Sequence, residues 1–198
     1  MNKRQWLGGL GLTALLALVG CGQDKPAFRG VDITGATYAQ GWELADQHGQ
    51  VRTLKDFAGK AVVVFFGYTQ CPDVCPTSMQ ELAEVKRLLG KDGERLQGVF
   101  ITVDPERDTA ELLKSYMANF DPSFVALRAS TPEQLDKVTK DFKIYFKKVE
   151  GKTPTSYTMD HSAGSFTFDP QGRVRLYNRH ASGAEALAAD VKILLSGN

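Results

Sequence analysis

Two cysteines with three residues between them, in Cys71-Pro72-Asp73-Val74-Cys75-Pro76, and a histidine far downstream, His161, are the side chains of this chain best suited to chemistry. A cysteine acts as its thiolate, the form that attacks disulfides and also the form that binds soft metals. The pair follows the apolar run 61–67, Ala-Val-Val-Val-Phe-Phe-Gly, which reads as a buried parallel strand. It precedes 77–89, where Met79, Leu82, Val85, Leu88 and Leu89 recur at helical spacing. The thiols therefore sit where a strand hands over to a helix, the place where open α/β sheets bind ligands. Unpaired N–H groups and the helix dipole at that point favour the thiolate. Disulfide exchange and metal binding are both open to such a pair.

The spacing bears on that choice. Cys-x-x-x-Cys has one residue more than the Cys-x-x-Cys of thioredoxins, leaving both sulfurs free to converge on a metal at ~2.3 Å, the length of a zinc–thiolate bond. Pro76 disfavours a helical Cys75, so Cys75 is expected near the N-cap, with Pro76 as the first helical residue. Of the three histidines, His48 lies in a turn-rich segment and His180 follows a strand beside Arg179; both read as solvated rings. His161 ends the long irregular stretch 149–162, just ahead of a strand at 164–169, and long loops in compact domains are usually functional or mobile. Asp160 is a candidate acceptor for the His161 N–H, and Asp73 a candidate to tune the charge of the site. Asp104 and Asp108 stand at a strand end, where capping accounts for Asp108; Met159 is assigned to packing.

Three blocks of sequence, Gly67-Tyr68-Thr69-Gln70-Cys71-Pro72-Asp73-Val74-Cys75-Pro76, then Val103-Asp104-Pro105 with Arg107-Asp108-Thr109, then Asp160-His161-Ser162, resemble the Sco/SenC family in kind and order. The resemblance covers about 57–175 and implies a thioredoxin-like fold. It also implies copper held by Cys71, Cys75 and His161, and a role in cytochrome c oxidase assembly at the CuA centre of subunit II. A copper donor and a periplasmic thioredoxin-like reductant are its implied partners. The donor set agrees independently: two thiolates suit Cu(I), and an added imidazole lets the site hold Cu(II) as well. Family members often carry a transmembrane anchor, and here this chain departs from the pattern.

Residues 1–20 read as an export signal, with Lys3 and Arg4 ahead of the apolar stretch Leu7–Val19. That stretch is shorter than the roughly 20 residues of a membrane-spanning helix. It ends in Leu18-Val19-Gly20-Cys21, similar to a bacterial lipobox, which predicts a lipid on Cys21. A tether over 21–28 and one domain over 29–198 follow, on the periplasmic side of a bacterial membrane. With Cys21 lipidated, Cys71 and Cys75 are the domain's only cysteines, too few for a disulfide scaffold. Without Lys3 and Arg4 the chain has 22 basic against 23 acidic side chains and no basic run suited to phosphate, which argues against nucleic acid.

The elements that must position these residues form a readable series. A hairpin is expected from 42–45 and 50–54 around the turn Asp46–Gly49, then the strand 61–67, the helix 77–89 and a strand at 96–103. Asp108 is expected to cap a helix to Asn119, and a strand at 124–127 follows. Thr131, with Pro132 and Gln134, caps the next helix. A strand at 142–149, a hairpin from 164–169 and 173–178, and a helix from Ser182 to Leu195 complete the chain. The order predicts an α/β fold: a thioredoxin-like mixed sheet with flanking helices and an added β-hairpin.

Two rival functions share that fold. A thiol–disulfide oxidoreductase that reduces the CuA-site cysteines of subunit II would use Cys71 and Cys75 as a redox-active disulfide, but His161 stands where thioredoxins place a cis-proline. A peroxidase of the peroxiredoxin type would show a Pro-x-x-x-Thr/Ser-x-x-Cys context, which is absent before Cys71.

Overall fold

The computed structural model describes residues 27–153 and 156–197. The expected signal, the expected lipid site Cys21 and most of the expected tether lie outside those residues.

Strand β4 (Ala61–Gly67) is the spine of the molecule, with all seven residues buried. It runs parallel to β5 (Leu96–Thr102) on one side and antiparallel to β9 (Ser165–Phe168) on the other. Helices or loops cover both faces, so an unbroken apolar run is what the position demands. Beyond β5 lie β6 (Val125–Arg128), parallel, and the antiparallel hairpin of β2 (Glu43–Asp46) and β3 (Val51–Thr53). Beyond β9 lie β10 (Val174–Asn178) and a two-residue edge strand, β1 (Val31–Asp32). The order is β1-β10-β9-β4-β5-β6-β2-β3, a mixed sheet of thioredoxin-like type with the hairpin added at one edge.

Among the described residues four helices flank it: α1 (Val74–Leu88), α2 (Ala110–Ala118), α3 (Pro132–Asp141) and α4 (Ala184–Leu195). Helices α1 and α4 pack together over the face of β4 that carries Val63 and Phe65. Phe142, just past α3, sets its ring 5.1 Å from Phe66 on the opposite face. The chain enters the fold at Arg29 and Gly30, whose N–H groups both donate at 2.8 Å to the buried carboxylate of Asp190 in α4.

Several boundaries differ from expectation, each for a local reason. Helix α1 starts at Val74, so Pro76 is its third residue and Cys75 is helical. Proline costs nothing there, because N–H groups of the first turn have no intrahelical acceptor. Helix α2 is capped by Thr109, whose side chain accepts from the Leu112 N–H; Asp108 lies before it, inside the protein. Thr131 caps α3 as expected, but the Gln134 side chain accepts from Ser130 N at 2.8 Å and does not close a box on Thr131. Helix α4 is capped by Gly183 at φ 93°, a left-handed conformation that suits glycine, and not by Ser182 one residue earlier.

The largest change concerns 142–162. Phe142 belongs to the end of α3, and strand β7 is only Phe146–Val149. The supposed loop contains a strand, β8 (Thr158–His161), and β7 and β8 pair with each other in a separate two-stranded sheet. His161 therefore ends a strand, opposite Phe146.

Candidate metal centre

Antiparallel pairing of β4 with β9 assembles the site. It places the C-terminal end of β4 beside the N-terminal end of β9, with Phe65 opposite Ser165. The Cys71 loop leaves the first end and His161 precedes the second, so residues 86 apart in sequence (Cys75 and His161) come into contact.

Helix α1 buries the stripe Cys75, Met79, Leu82 and Val85, and Cys75 is its first member. Helical periodicity thus drives the second sulfur into the core, against the end of β4. A Cβ added to Gly67 would stand 2.7 Å from Cys75 Sγ and 2.9 Å from the Phe65 and Phe100 rings, so only glycine leaves room for that sulfur. Cys75 is buried and Cys71 half-buried, and both are free thiols.

The two thiols differ in acidity. Cys71 Sγ takes a hydrogen bond from the Cys75 thiol, with further support from the backbone N–H groups of Asp73 and Cys75, the last at 3.4 Å. Together these hold Cys71 well below the ordinary thiol range in spite of its burial. Cys75 is pushed the opposite way, first because it donates to Cys71 and then by burial. The two shifts run in opposite directions, so of the two thiols Cys71 is the one favoured as thiolate.

His161 Nε2 lies 3.4 Å from Cys75 Sγ, and its Nδ1 lies 2.9 Å from the Ser162 carbonyl oxygen. A carbonyl can only accept, so Nδ1 carries the hydrogen and the Nε2 lone pair faces the sulfurs. Phe65 and Tyr68 meet the imidazole at right angles, with ring centroids 6.1 and 5.9 Å away. One ligand atom from each of Cys71, Cys75 and His161 lies within 4.8 Å of the others, the one such cluster among the described residues. Two sulfurs and one imidazole nitrogen converging on a point match the donor set for copper or zinc.

The supporting carboxylates are arranged differently from expectation. Asp160 is exposed and sits opposite Lys147 on β8, because alternate residues of a strand point to opposite faces. The partner of His161 Nδ1 is the Ser162 carbonyl, not Asp160. Asp73 serves through its backbone N–H; its carboxylate is exposed and makes no capping bond. Asp108, read from the sequence as a simple cap, is fully buried: it accepts from Thr69 N, from Thr69 Oγ1 at 2.5 Å and from Thr102 Oγ1 at 2.5 Å. It ties the loop two residues before Cys71 to the end of β5, and burial pushes its carboxyl up. Met159 is buried, as assigned. His48 lies in the β2–β3 turn, and His180 Nδ1 meets Ser78 Oγ at 3.2 Å outside the cluster. Arg107, quoted from the sequence only as part of a motif, and Tyr157, which no sequence argument singled out, stack on each other, with the guanidinium 5.7 Å from the Tyr68 ring.

A thioredoxin-like sheet with a Cys2His cluster at the end of its central strand defines the class of this protein. The chain belongs to the SCO1/SenC family, whose model matches residues 31–196. It is 36% identical to the SCO2-like protein of Rickettsia felis over 67% of this chain and 64% of that protein. It therefore spans about two thirds of the length of the relatives it matches. The structure of Bradyrhizobium japonicum ScoI with copper bound is 42% identical, covers 78% of this chain and 97% of that one, and superposes with a TM-score of 0.71. A SCO1/SenC family lipoprotein from Bacillus anthracis is 25% identical over 78% of this chain and 92% of its own, with a TM-score of 0.66.

Proposed function

We propose that this protein binds one copper ion through Cys71 Sγ, Cys75 Sγ and His161 Nε2 and delivers it to the CuA centre of cytochrome c oxidase subunit II. The observation that carries this reading is the orientation of His161: its Nδ1 hydrogen is committed to Ser162, and Nε2 faces a thiol at 3.4 Å. Disulfide exchange proceeds through the two sulfurs and does not require an imidazole lone pair aimed at them, whereas a third metal ligand does. The copper in the related B. japonicum ScoI structure supports the choice of metal.

The chemistry follows from the pair's protonation. Cys71 is ready as thiolate, and copper displaces the proton held on Cys75 as the second sulfur binds. Three protein ligands leave copper a position through which an acceptor can bind before the old ligands leave. Oxidation of Cys71 and Cys75 to a disulfide consumes both thiolates, so loading requires a thioredoxin-like dithiol that becomes a disulfide as it reduces the pair. A separate protein would supply the copper.

The working location we assign is the periplasmic side of a bacterial membrane, with the 29–198 domain tethered through 21–28 and a lipid on Cys21. The lipobox-like Leu18–Cys21 and the lipoprotein relative from B. anthracis support this. No helix of the described residues is long and apolar enough to cross a membrane.

The test is anaerobic copper titration of the reduced full chain, followed by mixing with a reduced, metal-free CuA domain. One copper per chain, lost when either cysteine is replaced and transferred to CuA, is the expected result. If the copper-free dithiol form reduces an oxidised CuA domain and His161→Ala keeps full activity in cells, the reductase reading takes over.

A further inference from the structure

Strands β7 and β8 pair only with each other, so hydrogen bonding within the main sheet does not hold His161 in place. Beside Tyr68, which makes the edge contact with the imidazole, however, three linked side chains join the two halves of the site. Arg107 Nε donates to Asp104 Oδ2 at 2.5 Å, and the Tyr157 hydroxyl donates to the other oxygen, Asp104 Oδ1, at 2.8 Å. Arg107 Nη1 donates to the Tyr157 carbonyl at 2.8 Å and to Gln70 Oε1 at 3.2 Å. The guanidinium also lies 3.5 Å from the centroid of the Tyr157 ring and 5.7 Å from that of Tyr68, whose edge contact with His161 is described above.

Each end of this brace leads to a ligand. Gln70 is the residue before Cys71, and Tyr157 is the residue before β8, the strand that ends in His161. Asp104 is anchored just past β5, 3% exposed, with its N–H on Thr102 Oγ1 at 3.0 Å. The ion pair is itself largely enclosed, with the Arg107 side chain 14% exposed. A guanidinium suits the task because its planar fork serves several acceptors while its face stacks on an aromatic ring.

We propose that Arg107 is a positioning residue for His161: the Asp104–Arg107–Tyr157 brace fixes the β7–β8 arm against the Cys71 loop, so that the imidazole stands within reach of both sulfurs. The inference rests on the copper reading above and deepens it. Arg107 touches no metal; it sets where the third ligand is. Its loss should leave the two sulfurs paired and the third ligand adrift, a defect that falls on Cu(II), which depends on the imidazole, more than on Cu(I).

The experiment uses the full chain with Arg107→Ala, Arg107→Lys and Asp190→Ala, the last being a destabilised control remote from the brace. Hydrogen–deuterium exchange of the metal-free protein is read over 156–163 and over 61–67, and Cu(II) titrations follow optical spectrum and affinity. Arg107→Ala should speed exchange over 156–163 but not over 61–67, weaken Cu(II) roughly 10–100-fold, the cost usual for groups that orient a ligand, and shift the spectrum towards that of His161→Ala. Arg107→Lys, with one donor centre and no plane to stack, should fall between, and Asp190→Ala should keep the wild-type spectrum. Wild-type exchange over 156–163, or wild-type Cu(II) affinity and spectrum, in Arg107→Ala overturns the proposal, as does the same spectral shift in Asp190→Ala. A wild-type chain that binds no copper overturns the metal reading instead, and the exchange comparison then decides the brace alone.

Discussion

Cys75 and His161 touch, yet they are held by very different parts of the molecule. Cys75 is fully buried on a helix packed against the central strand, where its sulfur fills the space over Gly67. His161 is half-exposed on a two-stranded arm that shares no ladder with the main sheet, and the outer strand of that arm is largely exposed. The contrast teaches how one site can both retain and release. One sulfur, on Cys75, belongs to a core helix, the other to the loop before it, and the imidazole to an arm outside the main ladder. For the proposed copper transfer, that inequality would let one ligand be given up before the other two.

Deleting ligands tests the contrast most severely. Cys75→Ala or Cys71→Ala should abolish tight Cu(I) binding, whereas His161→Ala should keep most of it and lose the Cu(II) spectrum. Competition titrations with a Cu(I) chelator and optical Cu(II) titrations measure the two arms. Equal losses of Cu(I) in all three variants would erase the distinction between core and arm.

Packing gives the next largest effect. Phe66 is fully buried at the heart of β4, and Phe66→Ala should cost about 3–5 kcal/mol in urea unfolding. Val149, 39% exposed at the end of β7, should cost less than about 0.5 kcal/mol when changed to alanine. Asp108 lies between these extremes: Asp108→Ala leaves the hydroxyls of Thr69 and Thr102 without their acceptor, which costs about 1–3 kcal/mol by the same measurement. A Val149→Ala change as costly as Phe66→Ala would show the arm to be part of the core.

The last effect concerns pH. Cys71 has a folded pKa below its unfolded value, so its contribution to stability is complete above the ordinary thiol value of about 8.5 and fades as pH falls. Cys75 is shifted upward, so its contribution is present below that value and lost as pH rises. The stability advantage of the reduced wild type over Cys71→Ser should therefore grow from pH 5 to pH 8. Over the same range iodoacetamide should label Cys71 and spare Cys75. Labelling of Cys75 first, seen by peptide mass spectrometry, would reverse the assignment of the two thiols.

Much of the core half was legible in the sequence, and much of the arm was not. The run Ala61–Gly67 and the stripe Met79, Leu82, Val85 announce β4 and α1 through period and burial alone, and the sheet around them followed. Strand β8 carries no such signal, since Thr158-Met159-Asp160-His161 has one buried residue and a partner strand rich in lysine. Asp108 misled because an acid three residues before Glu111 copies a cap, while its true partners, Thr69 and Thr102, are near only in space. The tautomer of His161 was out of reach for the same kind of reason: it depends on where the Ser162 carbonyl points, which no side-chain pattern records. Arg107 was visible only as part of a motif, and its stacking on Tyr157 spans 50 residues of sequence.

Gly67 binds nothing and titrates nothing, yet it should be among the positions least tolerant of substitution in the chain. Its φ lies outside the left-handed region, so the backbone would accept alanine; the sulfur of Cys75 and the rings of Phe65 and Phe100 would not. Intolerance at this position is then a record of an occupied volume. Among relatives, one that carries a side chain here must have surrendered the buried sulfur or moved both rings aside. A single unremarkable residue can thus tell a lineage that still holds metal from one that has kept the fold and lost the cargo.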